Sequence, residues 1–327
     1  MFPKWLGFSD RGPEVLTAVV LTSATKLAGL YLVAHRHRAK FQKIGTVASL
    51  YIYPVKSCGV LETIDAKVTN VGLEKDGLSD RQWMILDSRD ETITMKEEAR
   101  LSLIRCSSDA GNLLLHAPDM PVLTLSTRPD LSGAKLRPLK FLKKTIPVAE
   151  CGVEAERWIS DFLGRPARIV FSCPELGTRD CYTTKRKWDN HAKAGDVTIF
   201  SYLTSYLITT TSSLQHINSQ LDTSVSMVNF RPNVVIDNSE PFDEDNWREL
   251  LIGDQTLFHV VEPCLRCVIT TIEPDLAKRR QDKQPLKLLR SFRCRPPYGS
   301  SPLFGVYLAN DYPGPVKVGD PVYVLKD

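Results

Sequence analysis

Apolar positions along this chain fall into short β-branched and aromatic runs separated by polar or Gly/Asp turns. "TVASLYIYPV" (46–55), "RQWMIL" (81–86), "ETITM" (91–95), "NLLLHA" (112–117) and "PVLTLS" (121–126) read as strands. "KLRPLKFLKK" (135–144) reads as a basic, proline-broken connector. In "VEAERWISDFLG" (153–164) the period changes: Trp158, Ile159, Phe162 and Leu163 share a helical face, and Gly164 ends it. The polar stretch 174–196 is the longest loop candidate, with a domain boundary placed beside it. Beyond it, "TTSSLQHINSQL" (210–221) predicts a capped helix. Strands follow at "NVVID" (233–237), "TLFHVV" (256–261), "CVITTI" (267–272), "FGVYLA" (304–309) and "PVYVL" (321–325). Many short strands with few helices predict a β-rich α+β protein of barrel-like domains rather than a βαβ sandwich.

One apolar run differs in length. "VLTAVVLTSATKLAGLYLVA" (15–34) approaches the ~20 residues that cross a bilayer as a helix. Lys26 interrupts it at a cost of roughly 2.5–3.5 kcal/mol, reduced by snorkelling. Arg36, Arg38, Lys40 and Lys43 follow it, against Lys4 and Arg11 before it, so the rest of the chain is expected on the cytosolic side. The expected organisation is an anchor with its basic flank over 1–43, a first β-barrel domain over 44–175 and a second over 176–327. Basic flanks on a short anchor suit the outer mitochondrial membrane, with the endoplasmic reticulum as the alternative.

The composition, 43% hydrophobic and 24% charged over 327 residues, is that of a folded chain with a sizeable core. A net charge of +4 gives no reason to expect a nucleic-acid partner. Eight cysteines scattered through so large a chain do not form a disulfide framework and are expected as reduced, mostly buried thiols.

"HVVEPCLRCVITTIEPD" (259–275) carries the sharpest question. Structural zinc needs a second ligand pair, and none follows Cys264 and Cys267 at a suitable spacing. A thiol–disulfide switch wants a helix N-terminus, whereas "CVITTI" reads as strand. A third option is one thiolate serving a metal-containing group, with Arg266 favouring the anion of Cys264 and Cys267 packed on the opposite strand face. A structural role for both thiols stays open. "YPVKSCG" (53–59) sets Lys56 and Ser57 at a strand end, "DGLSDRQW" (76–83) offers Arg81, and "NFRPN" (229–233) offers Arg231 between Asn229 and Asn233. Arg231 precedes proline and is expected to be extended. These cations suit a phosphate if the fold brings them together. The basic run Lys278–Arg295 is a solvated face or a docking patch for an acidic partner.

"YPVKS", "GL…DRQW", "NFRPN", "CLRCVITTIEPD", "SPLFG" and "VGDPVY", in this order, resemble the MOSC family, in particular its amidoxime-reducing branch of mitochondria. The resemblance implies an N-terminal MOSC-associated β-barrel and a C-terminal MOSC barrel holding a molybdenum cofactor, Mo-molybdopterin. It implies Cys264 as metal ligand and catalytic residue. It also implies Lys56, Ser57, Arg81, Asn229, Arg231 and, less directly, Thr204 and Ser205 as cofactor contacts. "FSYLTSY" (200–206) lacks an aspartate often found in the family there. The implied reaction is reduction of N-hydroxylated substrates (amidoximes, hydroxamic acids, N-oxides, N-hydroxylated bases), with electrons from NADH through cytochrome b5 reductase and cytochrome b5. Pyridoxal phosphate enters only as a fold-level association. A sulfur-carrying MOSC protein and a membrane-anchored zinc or thiol module are the alternatives.

Overall fold

Seven strands close into a barrel, and they come from both ends of the chain. In order around the wall they are Val234–Asp237, Tyr206–Thr210, Leu303–Tyr312, Thr256–Leu265, Trp247–Ile252, Pro321–Lys326 and Gln42–Ile52, the last returning to Val234–Asp237. The computed structural model describes residues 40–132, 136–182, 188, 190–237 and 239–326. The apolar stretch 15–34 lies outside them. Among the described residues no helix is long and apolar enough to cross a membrane.

Leu50, Ile52, Ile208, Val234, Phe258, Val306 and Val324 fill the barrel core. Alternate residues of a strand point to one face, so each strand supplies every second side chain to this core. Tyr206–Thr210 is buried along its whole length and pairs parallel with Val234–Asp237, Ile208 opposite Val234. Helix Thr211–Asn218 makes that crossover, with the Thr210 hydroxyl capping it by accepting the Ser213 amide. This parallel pair stands within a mostly antiparallel β fold, accompanied among the described residues by a parallel bridge between Val55 and Trp83.

Residues between the first barrel strand and Tyr206 build smaller sheets. Leu136–Phe141, Lys144–Glu150, Ala167–Phe171 and Trp83–Asp87 form one, and Arg105–Asp109, Asn112–His116 and Leu123–Ser126 another. Helix Val153–Leu163 buries Ala155, Trp158, Ile159 and Leu163 against them and stops at Gly164 in the left-handed region. Lys43–Asp327 clusters as one compact body.

Three local expectations fail for identifiable reasons. "KLRPLKFLKK" forms a hairpin rather than a connector: Pro138 sits on the outermost strand, where its missing N–H costs no ladder bond. "ETITM" makes only an isolated bridge, Thr92 to Leu86, before turning through Thr94–Glu97. "CVITTI" is a tight 3-10 turn, Val268–Thr271, leading into the two-residue strand Ile272–Glu273. Its hydroxyls favour the turn, because Thr270 and Thr271 donate back to the Cys267 and Val268 carbonyls.

A buried charge cluster ties the loop after residue 190 to the barrel. His259 Nε2 lies 3.0 Å from Asp196 and Nδ1 lies 3.0 Å from Asp311, which Lys193 also engages. Burial alone would lower the imidazole pKa; the two carboxylates outweigh burial and hold it above its ordinary 6.5. A raised folded pKa contributes stability that is complete below the unfolded value and lost as pH rises through the folded one. Urea denaturation of the native protein and of His259→Asn should therefore show the largest stability gap near pH 6. The gap should shrink as pH rises above the folded pKa, and a gap that grows with pH would contradict the charged-cluster account.

Candidate functional site

A cavity of about 700 Å³ opens beside the barrel and is walled by segments from distant parts of the chain. Of the residues singled out in the sequence, Lys56, Ser57, Arg81, Thr204, Asn229, Arg231 and Cys264 line it. Ser205 does not: its hydroxyl donates to the Val197 carbonyl (2.9 Å), and it lines a separate small pocket. Thr204 is on the wall with its hydroxyl already given to the Tyr206 carbonyl. Asn229 is likewise committed, donating to the Thr270 and Ile272 carbonyls and accepting the Ser226 amide. It shapes the cavity wall at the 3-10 turn and has no donor left for a ligand.

The cationic side of the cavity hangs on one buried carboxylate. Asp80 Oδ1 accepts the Tyr53 amide and the Asn233 side-chain amide, each at 2.9 Å, while Oδ2 pairs with Arg81. Asn233 in turn donates to the Tyr51 carbonyl and accepts from the Leu207 amide. Gly72 permits this: a Cβ there would meet Asp80 Cβ at 2.8 Å, and its φ of +135° suits glycine. The motif "GL…DRQW" is therefore one physical unit.

Around that carboxylate stand more cations than it can balance. Arg231 lies over the Tyr53 ring at 4.1 Å and Arg81 over the same ring at 4.9 Å. Lys56 donates to the Phe200 carbonyl and faces the Phe141 ring. Arg179, unforeseen in the sequence, is buried behind the cavity wall and faces the same ring while holding the Ile199, Ser201 and Tyr202 carbonyls. Burial and the charges of Arg81, Arg179 and Arg231 push the Lys56 pKa down to about 7. Burial likewise lowers Arg231. Arg231 Nη1 donates to the Cys58 carbonyl, and its Nη2 is buried with no hydrogen-bond partner. A buried donor left open costs about 1–3 kcal/mol, more when charged.

Backbone strain gathers at the same place. Ser57, Arg81 and Arg231 hold φ of 69°, 51° and 55°. Each such residue costs on the order of 1–2 kcal/mol in a side-chain-bearing residue. The expectation that Arg231 is extended fails: it caps the turn Met227–Phe230 in the left-handed region, its amide bound to the Val228 carbonyl. That turn directs its guanidinium at Tyr53.

Cys264 and Cys267 both line the cavity, but differently. Cys264 is buried at the end of strand Thr256–Leu265, and burial raises its thiol pKa. Arg266 and the Tyr307 hydroxyl oppose that shift without overcoming it, so the expected activation of Cys264 by Arg266 is outweighed by desolvation. Arg266 itself is buried in the cavity wall, bonded to the Phe304 and Phe230 carbonyls and lying beside their two rings. Gly305 clears space for it, since a Cβ would meet the Ile208 carbonyl oxygen at 2.5 Å. Cys267 is exposed, not packed. The strand reading placed it wrongly, because the 3-10 turn that it caps rotates its side chain onto the cavity wall.

The arrangement suits an anion of more than one charge beside a soft sulfur: Lys56, Arg81 and Arg231 line the cavity with Arg179 behind them, Arg231 and Arg266 each keep a guanidinium nitrogen without a partner, two thiols line the same wall, and Glu91, Glu97 and Glu262 are the carboxylates that line it. An anion beside Lys56 raises its pKa again, so binding above pH 7 must take up protons. Calorimetry of inorganic pyrophosphate binding at pH 8, repeated in buffers of different ionisation enthalpy, should show uptake approaching ~1 proton per anion. Lys56→Arg, cationic throughout, should abolish the uptake. Equal uptake in both proteins would rule out Lys56 as the group titrating there.

Residues 44–166 match the family described as MOSC N-terminal beta barrel domain, and residues 197–323 match the MOSC domain. The chain is 36% identical to mitochondrial amidoxime-reducing component 1 of Homo sapiens, over 99% of this chain and 94% of the relative. It is 36% identical to the Mus musculus component 1, covering 98% and 92%. It is also 36% identical to the human component 2, covering 98% and 94%. The fold-level association with pyridoxal phosphate gains no support from these matches. The chain belongs to the mitochondrial amidoxime-reducing component family of MOSC proteins.

Proposed function

We propose that this protein reduces N-hydroxylated compounds with a molybdenum cofactor held in the 700 Å³ cavity. The observation that carries this reading is the meeting of excess buried cations and exposed sulfur in one cavity, on a chain whose relatives are named for amidoxime reduction. The residues fit the group. Arg231, with its open nitrogen, and Lys56, Arg81 and Ser57 would hold the phosphate of the pterin. When bound, the molybdenum centre supplies two-electron oxygen-atom chemistry.

Of the two thiols, Cys267 is favoured over Cys264 as metal ligand. Its sulfur reaches the cavity from an exposed position, whereas burial keeps the Cys264 proton in place. Arg266 lies between them in sequence and braces the turn from below. Phe230 and Phe304, stacked at 4.0 Å, keep that brace dry. The net reaction converts R–NHOH, two electrons and two protons into R–NH2 and water. The chain orients substrate and anchors the cofactor, and the electrons arrive one at a time from NADH through cytochrome b5 reductase and cytochrome b5. The N-terminal apolar stretch would tether the body to the outer mitochondrial membrane, facing the cytosol.

Benzamidoxime reduction by the cofactor-loaded protein with NADH and the two carriers should fall at least roughly 100-fold in Cys267→Ala, with the fold retained. Cys264→Ala should lose less. Full activity in both variants, or a molybdenum content near zero in active wild-type protein, would sink the assignment.

A further inference from the structure

The stretch from Lys278 to Arg290 is not absorbed by the cavity, yet it grows directly out of its wall. After Cys267 and the 3-10 turn, whose Ile269 and Thr270 line the cavity, the chain forms the small hairpin Ile272–Glu273 with Lys278–Arg279. Two contacts clamp this hairpin to the opposite lip. The Arg279 guanidinium donates to the Lys96 carbonyl, and Lys96 lines the cavity; the Ser102 hydroxyl donates to the Pro274 carbonyl at 2.7 Å. Beyond it, helix Leu286–Phe292 buries Leu286 and Leu289 and turns Lys287 and Arg290 outward.

Not every cation here is available. Arg280 is paired with Asp282 and Glu273, and Arg293 is buried against Asp245, which Arg295 also approaches. Lys278, Arg279, Lys283, Lys287 and Arg290 are exposed, and none makes an ion pair with a carboxylate of the described residues. Leu276 and Phe292, 60% and 42% exposed, stand among them. Uncompensated charge on a rim around a few exposed apolar side chains is the anatomy of a transient protein interface rather than of an inert solvated face. In a chain of net charge +4, this concentration is local.

We propose that this hairpin-and-helix face is where an acidic electron-carrier protein docks, beside the mouth of the cavity it must serve. The inference rests on the redox reading of the cavity, which requires electrons to enter from a second protein. It adds the place and the recognition chemistry. Steering by the five cations raises encounter rates in a salt-dependent way, and because the hairpin continues directly from the cavity-lining turn Val268–Thr271, capped by Cys267, a carrier docked on it stands beside the cavity wall. An anionic membrane is the competing occupant. It is disfavoured because the hairpin is clamped to Lys96 at the cavity's edge, which substrate and carrier must both reach.

Lys283→Glu combined with Lys287→Glu tests this on the full, cofactor-loaded chain. Neither residue lines the cavity, and an acid at position 287 falls in the first turn of the helix, where it is tolerated. With cytochrome b5 as carrier at low ionic strength, the KM for the carrier should rise roughly tenfold or more, and the fall of wild-type rate with salt should flatten. Reduction driven by reduced benzyl viologen, which needs no docking face, should be unchanged. An unchanged carrier KM and salt slope would overturn the proposal. So would loss of binding to phosphatidylserine vesicles with carrier kinetics intact, in favour of a membrane face. If wild-type protein is inactive even with viologen, the redox reading fails instead. Calorimetric titration of cytochrome b5 then decides docking alone, and equal affinity for native and variant protein counts against it.

Discussion

The Asp80 carboxylate is the constraint on which the rest of the structure depends. It is 1% exposed and joins three segments that the sequence separates widely: Tyr53 at the end of the first barrel strand, Arg81 beside it, and Asn233 before Val234. A charge this deep is tolerated only when paired and fully hydrogen-bonded, and removing one partner of such a set costs about 3–5 kcal/mol. Because Asp80 ties Tyr53 and Asn233, at the ends of the two strands whose pairing closes the barrel, and also holds Arg81, the bonds that brace that seam fix where Arg81 points. Structure and site share one foundation.

That foundation leaves a surplus. One carboxylate stands against Lys56, Arg81, Arg179 and Arg231, two of them facing Tyr53 and two facing Phe141. Ring faces and carbonyl oxygens soften the repulsion without cancelling it, and burial first, with the three arginines adding to it, holds the Lys56 pKa down. Added to it are three left-handed side-chain-bearing residues on the same wall. A fold that holds both kinds of strain in one place is organised around something it binds, because packing gains nothing from either. A group carrying negative charge relieves the first, and the strained turns keep its donors in position beforehand.

Legibility in the sequence varied with the range of the interaction that decides each element. Helix Val153–Leu163 and its Gly164 stop were readable because period and cap are local. So was the Thr210 cap of the next helix. The hairpin Leu136–Glu150 was not, because proline counts against a strand until its edge position is known. "CVITTI" has strong β propensity, and its conversion to a turn depends on where Asn229 takes the Thr270 and Ile272 carbonyls, a contact across more than forty residues. As a strand the segment would pack Cys267 away from the cavity that Cys264 faces; as a turn it brings both thiols to the cavity wall. Arg179 lay in the longest loop with no motif around it, and only its burial behind Phe141 reveals its charge as part of the site.

By itself the sequence determined the residue chemistry: lysine, serine and arginine at strand ends, a CxxC without partners, and a motif order that resembles one family. It also determined that short strands would dominate, since alternation and turn residues act within a few positions. The tertiary structure decided which groups meet. It built the first and last strands of the body into one barrel, turned Ser205 away and Cys267 inward, and drove Lys56 and three arginines together around one acid. Those choices are set by burial and by long-range hydrogen bonds, whose free energy depends on partners that no local window of the chain contains.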